Sequence, residues 1–259
     1  MQHQAKKRFG QNFLHDANVI ERILRSINPQ PGDRFVEIGP GLGALTAPLL
    51  KRTGELQVVE IDRDVIPHLI EACGHSEQLH ILQADALTVD YAAFADGRRL
   101  RLVGNLPYNI STPILFHLLK FAGAIADMHF MLQKEVVDRM AALPGEEAYG
   151  RLSVSLAARA EVAHLFDVGP GAFRPAPKVD SAIVRLVPRP PAFEVRDWAL
   201  FDRVVTAAFS QRRKTLSNGL KGILTAAQIA GVGIDPGIRA ERLGAEQFAN
   251  LANLLAASG

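Results

Sequence analysis

Cysteine is nearly absent from this chain: Cys73 is the single one in 259 residues. That excludes an internal disulfide and fits a reducing compartment. No apolar run reaches the roughly 18 residues that a membrane-spanning helix requires. The basic start, Lys6-Lys7-Arg8, is not followed by an apolar stretch, so it does not read as a secretory signal. A cytoplasmic location is therefore expected. The eight histidines fall at no metal-ligand spacing, and no metal is expected. Net charge is also small, at +2, so any case for a nucleic-acid partner must come from where the charges sit. No internal repeat or low-complexity tract is present.

What the chain does have is ample apolar content, 48% against 22% charged, enough to bury a substantial core. Its length suits one large domain, or one with a small companion. Short apolar runs at 35–38, 56–61, 79–82, 100–103, 128–132 and 182–187 read as strands. Amphipathic segments at 42–51, 65–73 and 114–122 separate them and read as helices. This alternation predicts a parallel sheet covered on both faces. Pro188, Pro190 and Pro191 then interrupt the pattern, and a boundary is expected there, giving domains 1–190 and 191–259. The second reads as all helix, with segments at 200–224, 226–230 and 245–257.

The strand ends carry the chemistry. Glu37-Ile38-Gly39-Pro40-Gly41-Leu42-Gly43 follows the first strand, where glycines let backbone approach a ligand. With Ala44 it also satisfies the relaxed dinucleotide fingerprint, so a nicotinamide enzyme is a competing reading. The second strand ends at Glu60-Ile61-Asp62, and a carboxylate there suits ribose hydroxyls of either cofactor type. The third ends at Gln83-Ala84-Asp85-Ala86, with Asp85 placed to accept from an adenine amino group. Each acidic residue alone also suits a plain strand terminus.

The fourth strand ends at Asn105-Leu106-Pro107-Tyr108. An amide oxygen and a neighbouring carbonyl can accept both hydrogens of one exocyclic amino group, while a tyrosine stacks on the ring that carries it. Such acceptors favour a pyramidal nitrogen, whose lone pair can meet a methyl group without a strong base. An ordinary strand-to-loop turn is the plain alternative. A dehydrogenase leaves this fourth strand end without a task, and the combination favours methyl transfer from S-adenosylmethionine.

With these motifs the chain resembles the ribosomal RNA adenine N6-dimethyltransferases. The resemblance extends over nearly the whole length. It includes Lys7-Arg8-Phe9-Gly10-Gln11-Asn12-Phe13-Leu14, Met131-Leu132-Gln133-Lys134-Glu135-Val136, the segment 173–182 and the segment 209–215. It implies a Rossmann-like class I methyltransferase fold: a mainly parallel seven-stranded sheet plus a small helical C-terminal domain. It also implies dimethylation of two adjacent adenosines near the 3′ end of 16S rRNA within an immature small ribosomal subunit. S-adenosylhomocysteine would be the product. Cofactor contacts carry over to Asn12, Leu14, Gly39, Glu60, Asp85 and Asn105, with Gly41, Ile61 and Ala86 beside them. Asn105, Leu106, Pro107 and Tyr108 carry over as the base pocket, and Phe173 as a second aromatic wall.

For RNA the expected contacts are Lys6, Lys7, Arg8 and Lys178, with Arg212, Arg213, Lys214 and Lys221 in the second domain. Arg203 is expected on the same helix as that cluster. A solvated charged face is the plain alternative. Residues 11–14 suit either a cover over the cofactor or a hydrophobic staple into a helix near Asp16. A related family acting on 23S rRNA, an assembly factor needed mainly for binding, and a dehydrogenase are the competing functions. A monomer is the default expectation.

Overall fold

The computed structural model of the protein describes residues 12–107, 110–211 and 213–257. Its strands are β1 (Phe13–Leu14), β2 (Arg34–Ile38), β3 (Leu56–Glu60), β4 (Leu79–Gln83), β5 (Leu100–Asn105), β6 (Ile125–Gln133), β7 (Ala160–Val168), β8 (Phe173–Arg174) and β9 (Ser181–Pro188). Between them run α1 (Ala17–Ile27), α2 (Thr46–Thr53), α3 (Ile66–Ala72), α4 (Ser111–Leu119), α5 (Lys134–Ala141) and α6 (Arg151–Ala157). The remaining helices are α7 (Trp198–Ala208), α8 (Leu216–Gly219), α9 (Ala226–Gly231) and α10 (Ala245–Ala256).

Seven strands form one sheet in the order β4-β3-β2-β5-β6-β9-β7. β2 to β6 pair in parallel, and β9 lies antiparallel to β6. All six apolar runs expected as strands are strands. β2 and β3 are almost wholly buried, which is why their sequences are continuous apolar runs rather than alternating ones. β7 escaped the pattern because it sits at the sheet edge, where Glu161, His164 and Asp167 are exposed. β1 and β8 are two residues each and pair only with one another, too short for any periodic signal. Chain order reverses between β2 and β5, which opens a crevice at the carboxyl ends of those strands.

α1 shows how the sheet's helical cover is anchored. Asp16 caps its start by accepting from Asn18 N at 2.8 Å and Val19 N at 3.2 Å. Ile23, Leu24 and Ile27 form its buried face. At the other end Arg101, on β5, donates to Ile27 O at 2.6 Å and Asn28 O at 3.4 Å. The same guanidinium pairs with Asp33 at 2.7 Å and takes both oxygens of Asp127 at 3.0 Å. One fork thus satisfies helix-end carbonyls and two carboxylates at once, which lysine could not do.

The chain packs as two compact units. One comprises the chain up to Val137 with Ala163–Pro188; the other comprises Asp138–Val162 with Arg189 onward. Asp138–Val162, expected in the first domain, therefore belongs with the second unit. Tyr149, Val154 and Ala158 explain this, being buried among Phe201, Val205, Leu243 and Phe248. Tyr149 Oη also donates to Leu243 O at 2.7 Å. The helix expected at 200–224 is not continuous either. α7 stops at Ala208, Ser210 Oγ donates to Ala207 O at 2.7 Å, and the chain turns before α8. Gly219 lets α8 fold back closely, since a Cβ there would lie 3.3 Å from Ala208 O.

Arg101→Met is expected to lower stability by about 3 kcal/mol, because Asp127 and the end of α1 lose their partner together. Urea unfolding would show a lower midpoint at unchanged slope. Arg101→Lys should recover less than half of the loss.

Candidate active site

A cavity of about 360 Å³ lies at the carboxyl ends of β2 to β6, in the first unit. The loop after β2 forms one wall. Gly41 adopts φ +53, and a Cβ there would lie 3.2 Å from the Phe13 ring, so only glycine lets the loop and the N-terminal segment meet. Gly104, just before the end of β5, is under a stricter limit: a Cβ would sit 2.5 Å from Ile38 O. Its absence brings the ends of β2 and β5 together, with Gly39 facing the Asn105 carbonyl.

Glu60 ends β3 with its carboxylate buried. It accepts from Asp62 N at 2.7 Å and Gly41 N at 3.4 Å. Burial raises its pKa, and those two N–H groups oppose the rise. Ile61 beside it is 49% exposed and lines the cavity as an apolar platform. Asp85 is exposed at the same rim, with one oxygen accepting from Leu87 N at 2.9 Å, and Ala86 adjoins it.

Asn105 sits across the cavity from these residues. Its Nδ2 donates to Asn12 O at 3.0 Å, which orients the amide and leaves its oxygen as the accepting end. Asn12 is held by its neighbours, because Phe13 and Leu14 pair with Arg174 and Phe173, and His15 N donates to Ala172 O at 2.9 Å. Leu106 and Pro107 line the cavity next to Asn105.

The structure thus gathers Asn12, Leu14, Gly39, Gly41, Glu60, Ile61, Asp85, Ala86, Asn105, Leu106 and Pro107 around one cavity. Phe173 is not among them. The expected second aromatic wall is instead 3% exposed, packed in the core with Leu14, Val168 and Ile183, because its pairing with Leu14 turns it inward. Tyr108, Lys6, Lys7, Arg8 and Arg212 lie outside the described residues. Lys178, Arg203, Arg213, Lys214 and Lys221 are exposed. Arg203 does not share a helix with the cluster: it is on α7, while Arg213 and Lys214 lie in the turn before α8 and Lys221 follows it. Among the described residues no group of three or more His, Cys, Asp or Glu side chains could hold a metal ion. No helix among them is long and apolar enough to cross a membrane.

Two buried polar residues that line the cavity have no role in the sequence reading. Glu37 on β2 and His129 on β6 both flank Val103 in register, so all three share one sheet face. The available signal was a single polar residue inside each of the otherwise apolar runs 35–38 and 128–132. Glu37 Oε2 has no hydrogen-bond partner. Burial pushes its carboxyl up to about 8, with the Thr46 hydroxyl opposing and Glu60 adding to the rise.

A parallel sheet with its cavity at the switch point, an acidic residue ending β3 and an oriented amide ending β5 define a methyltransferase of the Rossmann-like class. The comparisons with known proteins go further. Residues 2–257 match the family described as "Ribosomal RNA adenine dimethylase", and the chain belongs to that family. It is 54% identical over 258 residues to the ribosomal RNA small subunit methyltransferase A of Marinobacter nauticus, covering 99% of this chain and 94% of the relative. It is 57% identical over 257 residues to that of Aromatoleum aromaticum, covering 99% and 96%. The crystal structure of the 23S rRNA methyltransferase ErmE aligns with TM-score 0.73 and 27% identity over 95% of this chain and all of that one. A dimethyladenosine transferase from Plasmodium falciparum shares the fold, with TM-score 0.79 at 24% identity over 92% and 95% of the two chains.

The raised pKa of Glu37 links stability to pH. A carboxyl protonated in the folded state, up to about 8, and ionised in the unfolded chain above about 4.5 disfavours folding progressively between those values. Stability should therefore fall across that window, by roughly 4 kcal/mol if this group acted alone. Glu37→Gln should flatten that arm in urea unfolding measured from pH 5 to pH 8.

Proposed function

We propose that this protein dimethylates N6 of two adjacent adenosines near the 3′ end of 16S rRNA, on a small ribosomal subunit still being assembled. S-adenosylmethionine would be the methyl donor. The observation that carries the reading is the Asn105 amide, held by the Asn12 carbonyl with its oxygen as the accepting end.

The cavity suits this donor. Gly41 lines the cavity with its backbone close against the Phe13 ring, and the orphaned Glu37 Oε2 offers an acceptor to an ammonium group. Glu60 would accept from ribose hydroxyls and Asp85 from the adenine amino group, with Ile61 covering the ring. Asn12, Leu14 and Gly39 would hold the amino-acid end. When bound, S-adenosylmethionine supplies a methyl group made electrophilic by its sulfonium.

The residues of this chain do the rest by position. Asn105 Oδ1 and the Leu106 carbonyl accept from the target amino group, holding its nitrogen pyramidal with the lone pair toward the donor. Tyr108, which the resemblance carries over to the base pocket, would stack on the extruded base and offset part of the roughly few kcal/mol that unstacking costs. The exposed Lys178, Arg203, Arg213, Lys214 and Lys221 suit phosphate contacts, which position rRNA without reading its sequence. Selection of the two adenosines then falls to the shape of the subunit. The small-subunit relatives, at 54–57% identity, favour 16S over the 23S substrate named for ErmE at 27%.

The test is incubation with labelled methyl donor and small subunits from an unmethylated strain, followed by nucleoside analysis of the rRNA. Wild type should yield N6,N6-dimethyladenosine in 16S rRNA. Asn105→Ala should fold normally and lose activity at least about 100-fold. Absence of N6,N6-dimethyladenosine from the 16S rRNA with wild type, or a near-normal rate for Asn105→Ala, would contradict the reading.

A further inference from the structure

His129 stands out because it is buried, polar and unused by the chemistry described so far. Its side chain, on β6, is 4% exposed, and neither ring nitrogen has a hydrogen-bond partner. The ordinary explanation would be a core histidine bonded to a neighbouring carboxylate. Asp127 is the candidate, but its nearer oxygen lies 3.8 Å from Nδ1, beyond hydrogen-bond length. Arg101 holds both Asp127 oxygens at 3.0 Å and keeps the carboxylate where it is. Burial, with Arg101 and Arg185 adding positive potential, keeps the imidazole neutral despite Asp127. A buried imidazole with no partner is worse for the fold than an apolar side chain of similar size.

The place of this ring in the cavity suggests what completes it. His129 lines the same cavity as Glu60, Ile61 and Asp85, but from β6, at the opposite end of the run of strands from β3. Ile23, Met131 and Ile183 surround that end with apolar walls. If the nucleoside lies over Ile61 with its ribose at Glu60, the far end of the ligand reaches past Asn105 toward His129. That far end is an amino acid, with one ammonium and one carboxylate. Glu37 is an acceptor and suits the ammonium. A carboxylate needs an N–H donor, and a neutral imidazole has one. Imidazole χ2 is soft, so a ring nitrogen can turn toward the cavity.

We propose that His129 is a cofactor-binding residue which recognises the carboxylate of the amino-acid tail, directly or through one bound water. The inference rests on the cavity being the S-adenosylmethionine site. Its role is specificity for the tail, and it takes no part in activating the target base.

The experiment measures binding of S-adenosylhomocysteine and of 5′-methylthioadenosine, which lacks the amino-acid tail, to wild type, His129→Leu and His129→Gln. His129→Leu should weaken S-adenosylhomocysteine binding about tenfold and leave 5′-methylthioadenosine unchanged. His129→Gln, which keeps a donor, should stay within about threefold of wild type for both. The ligand-free His129→Leu protein should melt at or above the wild-type temperature, because an unpartnered polar group has been removed. In wild type, the long-range 15N–1H signals of the His129 ring should move with S-adenosylhomocysteine and not with 5′-methylthioadenosine. Unchanged S-adenosylhomocysteine affinity in His129→Leu, or equal loss of both ligands, overturns the proposal. So does a His129→Leu protein that fails to fold or melts well below wild type, since the ring would then be holding the core. A wild type that binds neither ligand overturns the cofactor reading as well.

Discussion

A missing methyl group sets the geometry of this site. Any side chain at residue 104 would press its Cβ to 2.5 Å from Ile38 O, well inside contact distance. With glycine there, the ends of β2 and β5 converge and Gly39 comes to face the Asn105 carbonyl. The glycine-containing loop after β2 and the Asn105 amide are thereby placed around one cavity. The Asn12 carbonyl then selects the orientation of that amide. Because Asn12 adjoins the β1–β8 ribbon, the ribbon and the Asn105 amide are tied through a single short stretch of chain. An amide with no such anchor could present its NH2 end to the substrate and lose its function as an acceptor.

The sheet face under α1 contains two kinds of buried polar group, and their contrast separates architecture from function. Arg101 is fully engaged, with its donors on Asp33, Asp127 and the last carbonyls of α1. Such a satisfied network specifies where a helix ends and how it docks. Glu37 and His129, on the strands either side of β5, retain unpartnered atoms and both border the cavity. Natural folds keep such groups where a ligand completes them, at a cost to the stability of the empty protein.

The second unit is organised by apolar burial rather than by a sheet. Its core recruits Tyr149, Val154 and Ala158 from a segment inserted between β6 and the body of β7, alongside α7 and α10. The turn between α7 and α8 removes Arg213 and Lys214 from a regular helical face and exposes them in a loop. Ser210, by bonding back to Ala207, ends α7 before that cluster.

Much of this was legible in the residues themselves. Continuous apolar runs marked the central strands because both faces of a parallel sheet are buried, and the motifs at strand ends marked the cavity because ligands bind there. Cavity-lining residues from Gly39 to Asp85 needed no knowledge of long-range contacts, since each lies where its own strand stops. Edge strand β7 and the two-residue ribbon were illegible: one mixes exposed polar residues into its alternation, and the other is too short to have a period. Phe173 differs for a related reason. The resemblance implies a base wall there, yet its direction depends on pairing with Leu14, a partner far away in sequence. By itself, then, the chain determined its strand-helix alternation, its reactive strand ends and its family, all consequences of local pattern. Which polar groups lie buried together, which way the Asn105 amide points and which unit claims Asp138–Val162 were decided only by the tertiary structure, because each depends on contacts between residues that no local spacing relates.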